Sequence, residues 1–290
     1  MRTLVHRHLK LFIKNPANIV LSFLSSVVIL SLYFLFIRDF TIKAVSDYGF
    51  ISDYNELFVD RLMTSGLLIV IGATSVLSII FIFVKDRYSG TIKDFMVTPL
   101  SSYKIIYSYF IAAFLISMII TMIVYIGIEI FFYIAYQSVP TTMTMIKSIT
   151  TLFVSNLIAS LLILVIALGI KSFTSFSTFE TLYGVVIGFF TGVYIPIGYY
   201  PTIIRNIFFY FPLCQTTSIL RNIQTSSVVD SILENYPENQ HSILYETFGV
   251  HLTFQNESIS LPEQWKMVMI LFLLLNVILL FIISIKKYRK

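Results

Sequence analysis

The chain has 290 residues, of which 57% are hydrophobic and only 12% charged, and its formal net charge is +5. Soluble domains carry about 25% charged residues, so a water-soluble globule of this composition would expose large apolar patches. The 16% aromatic content, with only 11 Gly and 8 Pro, excludes a disordered or collagen-like chain. A single cysteine, Cys214, excludes an intramolecular disulfide and a multi-cysteine metal site. The composition predicts an all-α polytopic membrane protein.

The first segment, residues 1–16, is predicted to form an amphipathic interfacial helix. With about 100° per residue, its basic and apolar side chains fall on opposite sides; they are Arg7, Lys10 and Lys14, against Val5, Leu9, Phe12 and Ile13. A basic amphipathic helix lies in the plane of the lipid headgroups, and Asn15-Pro16 ends it before the first span. A generic membrane anchor and a specific gating role both remain open for this helix.

Six apolar runs approach or exceed the roughly 20 residues that a helix needs to cross a membrane. They cover residues 17–37, 62–84, 105–128, 148–170, 181–204 and 267–285. We therefore predict one transmembrane domain over residues 1–290. Spans one to five occupy residues 17–200, a re-entrant segment and a small outer loop occupy 201–263, and the last span and a basic tail occupy 264–290.

The distribution of Lys and Arg predicts the orientation of the spans. Of the 20 Lys and Arg residues, 13 fall in the N-terminal arm, the second and fourth connecting segments and the tail. Basic residues flank spans on the cytoplasmic side, so both termini are predicted to be cytoplasmic. The acidic residues lie mostly in the opposite loops, Glu56 and Asp60 among them, and nothing in the basic excess points to nucleic acid.

The cytoplasmic loop after the second span, residues 85–104, is predicted to contain a short helix. Gly90 can end the preceding helix, Thr91 is a suitable N-cap for a helix over 92–97, and Pro99 ends that helix. Its apolar face, Ile92, Phe95 and Met96, is small enough to insert into a groove on another protein. The alternative is a surface turn, although a turn needs neither Phe nor Met.

Three glycines recur at every fourth position of the fifth predicted span. They are Gly184, Gly188 and Gly192, and they lie near the bulky Phe189 and Tyr194. A stripe of small residues allows two helices to approach closely. Internal packing or a pore-facing surface is favoured over a dimer seam.

The apolar stretch over 201–214 is broken by Arg205 and Pro212 and is too short to span a membrane. Such a segment is typical of a re-entrant or interfacial helix that packs against protein. The mixed segment that follows, up to residue 263, is long enough for a small cap but too short for an independent enzyme domain.

The chain resembles the permease subunits of type-2 ABC exporters, which export drugs, bacteriocins and polysaccharides. The residues that carry the resemblance are Lys14-Asn15-Pro16, Asp86-Arg87, Ser89-Gly90-Thr91, Phe95, Thr98-Pro99, Pro196, Pro201, Phe211-Pro212 and Arg221. Two positions depart from the family pattern: Lys85 stands where an acid is common, and Phe211 stands where Asn often precedes Pro212.

The resemblance implies a half-transporter that works as two permease copies, identical or related, with two ATPase subunits in a lipid bilayer. It makes Gly90, Thr91, Ile92, Phe95, Met96 and Pro99 the coupling segment for the ATPase. It assigns the re-entrant turn to Pro196, Pro201, Pro212 and Arg221, and it places the second and fifth spans near the central path.

The chain itself has no phosphate-binding loop. The nearest string, Gly169-Ile170-Lys171-Ser172, lacks the required glycines. We therefore expect no cofactor or metal on this chain, with ATP and Mg²⁺ bound by the partner ATPase. The expected cargo is a hydrophobic or amphipathic drug or peptide. A lipid-linked polysaccharide or a lipid is the alternative, and a residue usage typical of AT-rich genomes favours a bacterial cell membrane.

A membrane-embedded enzyme is the alternative from another class of protein. It would need clustered acids or histidines at membrane depth, but the four histidines fall outside the predicted spans. Glu129 is the only acid embedded among apolar residues, and it has no evident partner in the sequence. We therefore expect the chain not to be an enzyme by itself.

Overall fold

The computed structural model of the chain describes residues 1–47, 55–233, 238–255 and 257–285. The predicted basic tail, 286–290, and parts of both predicted outer loops, 48–54 and 234–237, lie outside the described residues. The helices in chain order are α1 Arg2–Ile13, α2 Pro16–Leu32, α3 Arg38–Asp47, α4 Asn55–Tyr88, α5 Thr91–Met96, α6 Ser102–Tyr136, α7 Thr142–Gly169, α8 Phe173–Phe190, α9 Thr202–Phe209, α10 Pro212–Leu233, α11 Glu238–Thr247 and α12 Leu261–Ile285. A two-stranded antiparallel hairpin, β1 Thr253–Phe254 and β2 Glu257–Ser258, precedes α12.

Among the described residues, four helices are long and apolar enough to cross a membrane: α4, α6, α7 and α12. They correspond to the second, third, fourth and sixth predicted spans. The first predicted span, 17–37, is helical but divided, because α2 passes through a π-helical turn, Tyr33–Ile37, into α3. Six spans therefore remain a prediction, whereas the all-α membrane architecture is confirmed.

Helix α4 is the centre of the bundle and packs against α6, α7, α8 and α10. It has 34 residues, a length of about 51 Å at 1.5 Å per residue, and its buried residues extend from Asn55 to Asp86. Because other helices of the same chain cover it, α4 does not present an open face to a central path. Its position near a central path stays a prediction.

A glycine and an amide fix how closely α4 and α7 approach each other. A Cβ atom at Gly72 would lie only 2.3 Å from Oδ1 of Asn156. The Asn156 amide nitrogen donates to the Leu152 carbonyl oxygen at 2.9 Å, which holds the side chain against the face of α4. Gly72 thus stands where the Asn156 side chain of α7 packs directly against the backbone of α4.

The fifth predicted span, 181–204, is wrong in its bounds. Helix α8 begins at Phe173 and ends at Phe190, and the chain then turns through Gly192, which has a φ of 64°. The Val193 amide donates to the Gly188 carbonyl at 2.9 Å and the Gly192 amide to the Phe189 carbonyl at 3.1 Å. This pair of bonds is the Schellman motif, which ends a helix at a left-handed glycine.

The predicted outer loop is also wrong in its first part, because α10 is a 22-residue helix buried in the bundle. Near its start, Thr216 donates to the Ser155 hydroxyl, midway along α7, at 3.2 Å. Two turns later Gln224 donates to the Ser148 hydroxyl, nearer the start of α7, at 3.2 Å. Helix α10 therefore begins midway along the bundle and runs antiparallel to α7. The membrane depth of the predicted re-entrant segment stays a prediction.

Candidate functional site

The two ends of the bundle carry different polar groups, and the end that holds α1 and α5 is called the α5 end here. Four side chains from three helices meet there. Arg7 of α1 donates to the Asp86 carboxylate of α4 at 2.7 Å, and the Tyr109 hydroxyl of α6 donates to the same carboxylate at 2.7 Å. His8 stacks on the Tyr109 ring with their centroids 3.8 Å apart. These contacts fix α1 to α4 and α6.

His8 lies on the buried face of α1, between Leu4 and Phe12 at helical spacing. Its Nε2 lies 3.0 Å from the Ser108 hydroxyl. Burial, and then the neighbouring Arg7 charge, lower the pKa of His8 to about 4, although the Asp86 charge acts in the opposite direction. The sequence interpretation missed this residue, whereas the Leu4-His8-Phe12 spacing could have identified it as part of the packed face.

Helix α5 differs from the prediction at its start. Gly90 is the N-cap, with a φ of 84° that favours glycine, and Thr91 is the first helical residue. The Ser89 and Thr91 hydroxyls lie 2.9 Å apart. The sharp turn at Gly90 places the short helix directly after the end of α4.

The apolar face of α5 packs inward on this chain. Ile92 is 2% exposed, and Phe95 and Met96 are half-buried against the core. The Arg7 guanidinium lies 5.0 Å from the centre of the Phe95 ring, so one cation contacts both Asp86 and α5. Ile92 is therefore not available to a partner in this conformation, which revises the predicted docking face.

The outward surface of the same segment is formed by other residues. Tyr88 is 75% exposed and Val97 is 87% exposed. Lys93, Asp94 and Pro99 are also exposed. We call Tyr88, Lys93, Asp94 and Val97 the α5 surface. It combines two exposed apolar side chains with charges of both signs.

A polar cleft lies beside the α5 surface, between the end of α4 and the start of α8. Its volume is about 210 Å³, and Arg87, Tyr88, Lys171 and Ser172 contribute to its lining. The Arg87 guanidinium donates to the carbonyl oxygen of Leu168, in the last turn of α7, and to that of Ile170, just beyond it. The end of α7 is thereby fixed to the segment from which α5 begins.

The three glycines of the predicted stripe have three different environments. A Cβ atom at Gly184 would meet no atom within 4 Å, whereas one at Gly188 would lie 2.3 Å from Cε2 of Tyr194. Gly192 lies beyond the end of α8 and has a positive φ. They therefore do not form a stripe on one helix, and Gly188 is covered by the Tyr194 ring rather than open to a path.

The exposed face of α8 has a polar half and an apolar half. The half nearer the start of α8 exposes hydroxyl residues, which are Thr174, Ser175, Ser177, Thr178 and Thr181. The other half exposes Leu182, Val185, Val186 and Phe189. Hydroxyl groups on a helix surface favour contact with protein or water over lipid tails.

Arg221 is fully buried in α10 and has no carboxylate partner among the described residues. Its guanidinium donates to three carbonyl oxygens from three segments: Gly192 at 2.9 Å, Phe248 at 3.2 Å and Leu62 at 3.3 Å. A Cβ atom at Gly66, Gly192 or Gly249 would lie 3.1, 3.3 or 2.8 Å from its nitrogens. Three glycines thus leave the space that this guanidinium fills.

The prolines of the predicted re-entrant turn stand at the starts of three helical elements. Pro196 precedes a short 3-10 turn, Ile197–Tyr199, and Pro201 precedes α9. Pro212 is the first residue of α10, where a missing amide donor costs nothing. Proline thus starts each of the three elements, and Arg221 fixes the longest of them.

The opposite end of the bundle holds an ion cluster that the sequence interpretation placed in an outer loop. Asp60 is fully buried in α4, where it accepts hydrogen bonds from Tyr33, from Tyr136 at 2.5 Å and from Arg38 at 2.9 Å. Arg38 also contacts Glu56 at 2.7 Å. The apolar run begins only at residue 62, so hydropathy predicts a loop for charges that belong to the first turns of α4, which begins at Asn55.

Glu129 is not alone, which corrects the expectation for this residue. Its Oε2 lies 3.6 Å from Nη1 of Arg61. Arg61 also donates to Gln224 at 3.2 Å, and its guanidinium lies 4.3 Å from the centre of the Phe132 ring. A buried charge with an opposite partner is the usual structural arrangement. The described residues contain no group of three or more His, Cys, Asp or Glu that could hold a metal ion.

The chain matches the family model of the ABC-2 type transporter over residues 1–225. The match begins in α1 and ends within α10, so it includes α5 and Arg221. No curated protein and no solved structure matches the chain.

Proposed function

Since this chain belongs to the ABC-2 type transporter family, the membrane component of ABC transporters, we propose that it is the permease of an ATP-driven exporter of hydrophobic or amphipathic compounds. In this proposal the α5 surface binds a separate ATPase subunit. Two copies of the permease, or one copy and a related chain, form the path with two ATPase subunits. The chain itself carries no catalytic residues and binds no cofactor.

The observation that carries the proposal is the two-sided structure of α5. Its inner side is fixed by the buried Ile92 and by Arg7, which lies over Phe95. Its outer side exposes Val97 at 87% and Tyr88 at 75%. A helix that is fixed to the bundle on one side and free on the other can transmit the movement of a bound partner to the bundle, which a mobile loop cannot do.

Three contacts give such a movement a route into the membrane domain. The Arg7–Asp86 pair connects α5 and α1 to the end of α4, and Tyr109 connects the same carboxylate to α6. Arg87 connects the start of this segment to the end of α7. A displacement of α5 would therefore act on all three long helices at once.

We place the cargo path along the exposed face of α8, between two copies of the permease. The hydroxyl half and the apolar half of this face suit a cargo with a polar and an apolar part. The enclosed position of α4 supports α8, rather than α4, as the lining helix. A lipid-linked polysaccharide or a lipid stays the alternative cargo within the same family.

We propose the cytoplasmic membrane of a bacterium as the location, with both termini and the α5 end in the cytoplasm. The basic residues Lys85, Arg87, Lys93 and Lys104 lie in or next to the segment that connects α4 and α6. Basic residues accumulate on the cytoplasmic side, and ATP is available to an ATPase subunit there.

The test is the substitution Val97→Asp in the tagged permease, expressed with the ATPase subunit that co-purifies with it. An aspartate at this position would be desolvated against an apolar partner surface without an opposite charge. The matched control is Val139→Asp, at the opposite end of the bundle, where the side chain is 67% exposed. Both variants should insert and keep the melting temperature of the native chain, because both side chains point into solvent.

We expect Val97→Asp to lower the amount of co-purifying ATPase at least tenfold, which corresponds to about 1.4 kcal/mol of binding free energy. We expect Val139→Asp to retain the ATPase. Equal retention by both variants would contradict docking at the α5 surface. Equal loss by both would show that the charge acts through folding or membrane insertion.

A further inference from the structure

Beside α1 there is a groove that the proposed function does not use. It has a volume of about 460 Å³ and lies between α1 and α6. Its lining consists of Met1, Arg2, Val5, His6, Leu9 and Ile111. The groove therefore has an apolar floor and two nitrogen-bearing side chains at its rim.

The two rim residues are free to bind a ligand. Arg2 and His6 are one helical turn apart on the same face of α1, which brings their Cβ atoms to about 5–6 Å from each other. Both are exposed, and within the described part of the chain neither has an acidic partner. Arg7, by contrast, is held by Asp86 at 2.7 Å. Arg2 and His6 are thus suited to a negatively charged group with several oxygen acceptors, such as a phosphate.

The groove is fixed in shape by the residues behind it. Leu4, His8 and Phe12 bury the neighbouring face of α1, and His8 is stacked on Tyr109 of α6. The distance between α1 and α6 is therefore set by packing rather than by whatever occupies the groove. A prearranged site loses less conformational entropy when it binds a ligand.

From the groove an apolar track continues along α6. Ile111 lines the groove, and Leu115, Ile119 and Ile123 follow at intervals of four residues with exposed fractions of 36%, 53% and 51%. Residues four apart lie above one another on a helix. The track from Ile111 to Ile123 is about 18 Å long at 1.5 Å per residue. Half of a hydrocarbon core about 30 Å thick measures about 15 Å, so the track has the length of one acyl chain.

We infer that the groove is a binding site for an anionic phospholipid. Its headgroup phosphate binds Arg2 and His6, and one acyl chain lies over Ile111 and along Leu115, Ile119 and Ile123. A free phosphate would explain the rim but not the track, and an apolar peptide would explain the track but not the rim. The bound lipid joins α1 to α6 beside the Arg7–Asp86 contact, so it would stabilise the helix that fixes α5.

The test is titration of the delipidated, purified permease in detergent with phosphatidylglycerol, followed by native mass spectrometry. Arg2→Gln removes one cation from the rim, and Ile111→Trp fills the groove without changing any charge. Lys14→Gln is the matched control, since Lys14 is exposed just beyond the end of α1 and does not line the groove. We expect Arg2→Gln to weaken phosphatidylglycerol binding about fivefold, Ile111→Trp to weaken it at least as much, and Lys14→Gln to leave it unchanged.

Three outcomes would overturn the inference. Equal weakening by Arg2→Gln and Lys14→Gln would show diffuse attraction to a basic helix. Undiminished binding by Ile111→Trp would show that no acyl chain occupies the groove. If inorganic phosphate alone raises the melting temperature as much as phosphatidylglycerol does, the site binds a free anion. Arg2→Gln keeps the test valid if Ile111→Trp misfolds, because Arg2 is exposed and its loss leaves the packing of α1 intact.

Discussion

The guanidinium of Arg221 donates to the carbonyl oxygen of Gly192 at 2.9 Å and so joins α10 to the turn that ends α8. Gly192 is also the residue whose positive φ ends α8. One contact therefore connects the exposed face of α8 to a helix that packs against α4, α7 and α12. A movement of the turn after α8 must either break this hydrogen bond or move α10 together with the turn.

Replacement of Arg221 should destabilise the folded chain strongly. Arg221→Met keeps much of the side-chain volume but removes a donor that three buried carbonyl oxygens share, and each hydrogen bond to a charged group contributes about 1.5–3 kcal/mol. We expect a loss of roughly 2–5 kcal/mol, measured as a lower melting temperature and a lower yield. Arg221→Lys should recover only part of the loss, because one ammonium group cannot reach three carbonyls in the planar guanidinium arrangement.

The control for this substitution is Arg205→Met in the neighbouring α9. Arg205 is half-buried and its hydrogen bonds go to hydroxyl groups, those of Thr202 and Thr253. Its loss should cost less than the loss of Arg221. A similar decrease in melting temperature for both variants would contradict a special role of the buried Arg221 guanidinium and its three carbonyl partners.

The glycines of α8 should respond unequally to alanine. Gly184→Ala meets no neighbouring atom, whereas Gly188→Ala collides with the Tyr194 ring at 2.3 Å. We expect Gly184→Ala to keep the native melting temperature and Gly188→Ala to lower it. Overpacking at Gly188 should decrease the free energy of unfolding by about 1–3 kcal/mol. Gly188→Ala combined with Tyr194→Ala should be more stable than the sum of the two single changes predicts. Strict additivity would show that the two residues do not contact each other.

His8 should make the stability of the permease depend on pH. Its folded-state pKa of about 4 lies below its ordinary value of 6.5, so the unfolded chain binds more protons between these two values. The contribution of the neutral His8 to the free energy of unfolding is therefore fully present above about pH 6.5. It decreases as the pH falls toward 4, by up to about 1.4 kcal/mol per pH unit. The melting temperature of the native chain should decrease over this interval by more than that of His8→Phe, which retains the stacking on Tyr109.

Carboxylate protonation also lowers stability in acid. The informative quantity is therefore the difference in melting temperature between the native chain and His8→Phe at each pH. Identical pH profiles for the native chain and His8→Phe would contradict the assignment of a buried neutral histidine at the α1–α6 contact.

Cysteine cross-linking should locate the contact between two permease copies. Val185 is 55% exposed on α8 and Ile126 is 57% exposed on α6. Under mild oxidation Val185→Cys should form a covalent dimer in membranes, because α8 is proposed to face its copy, whereas Ile126→Cys should not. The native Cys214 is fully buried and should not contribute to the cross-link. A dimer from Ile126→Cys alone would place the copies against α6 instead.

Some features of this protein were predictable because they depend on one-dimensional patterns. Apolar runs of sufficient length identified the helices at the second, third, fourth and sixth predicted spans, since a membrane helix must satisfy its hydrogen bonds internally and match the bilayer thickness. The helix before Asn15-Pro16 and the short helix after Gly90 were also predictable, because glycine and proline act on the local backbone. The family was evident from the same local motifs.

Helix α10 could not be found by hydropathy. Its buried residues include Thr216 and Gln224, and such residues read as a polar loop when their partners are unknown. In the folded chain they bond to other helices, as Gln224 does to Ser148 at 3.2 Å. Burial of a polar group depends on its partners, and the partners lie far away in the sequence.

Hydropathy and motif spacing are properties of neighbouring residues, so they were enough to identify a helical membrane protein of a transporter family. Long-range contacts were needed to show which face of α5 is free, why Gly188 is covered and which charges are paired. Ile92, Phe95 and Met96 form an apolar face that suits a partner or the chain's own core equally well. The Arg7–Asp86 pair and the packing of Ile92 assign that face to the core, since residues 79 positions apart must meet for the choice to be made.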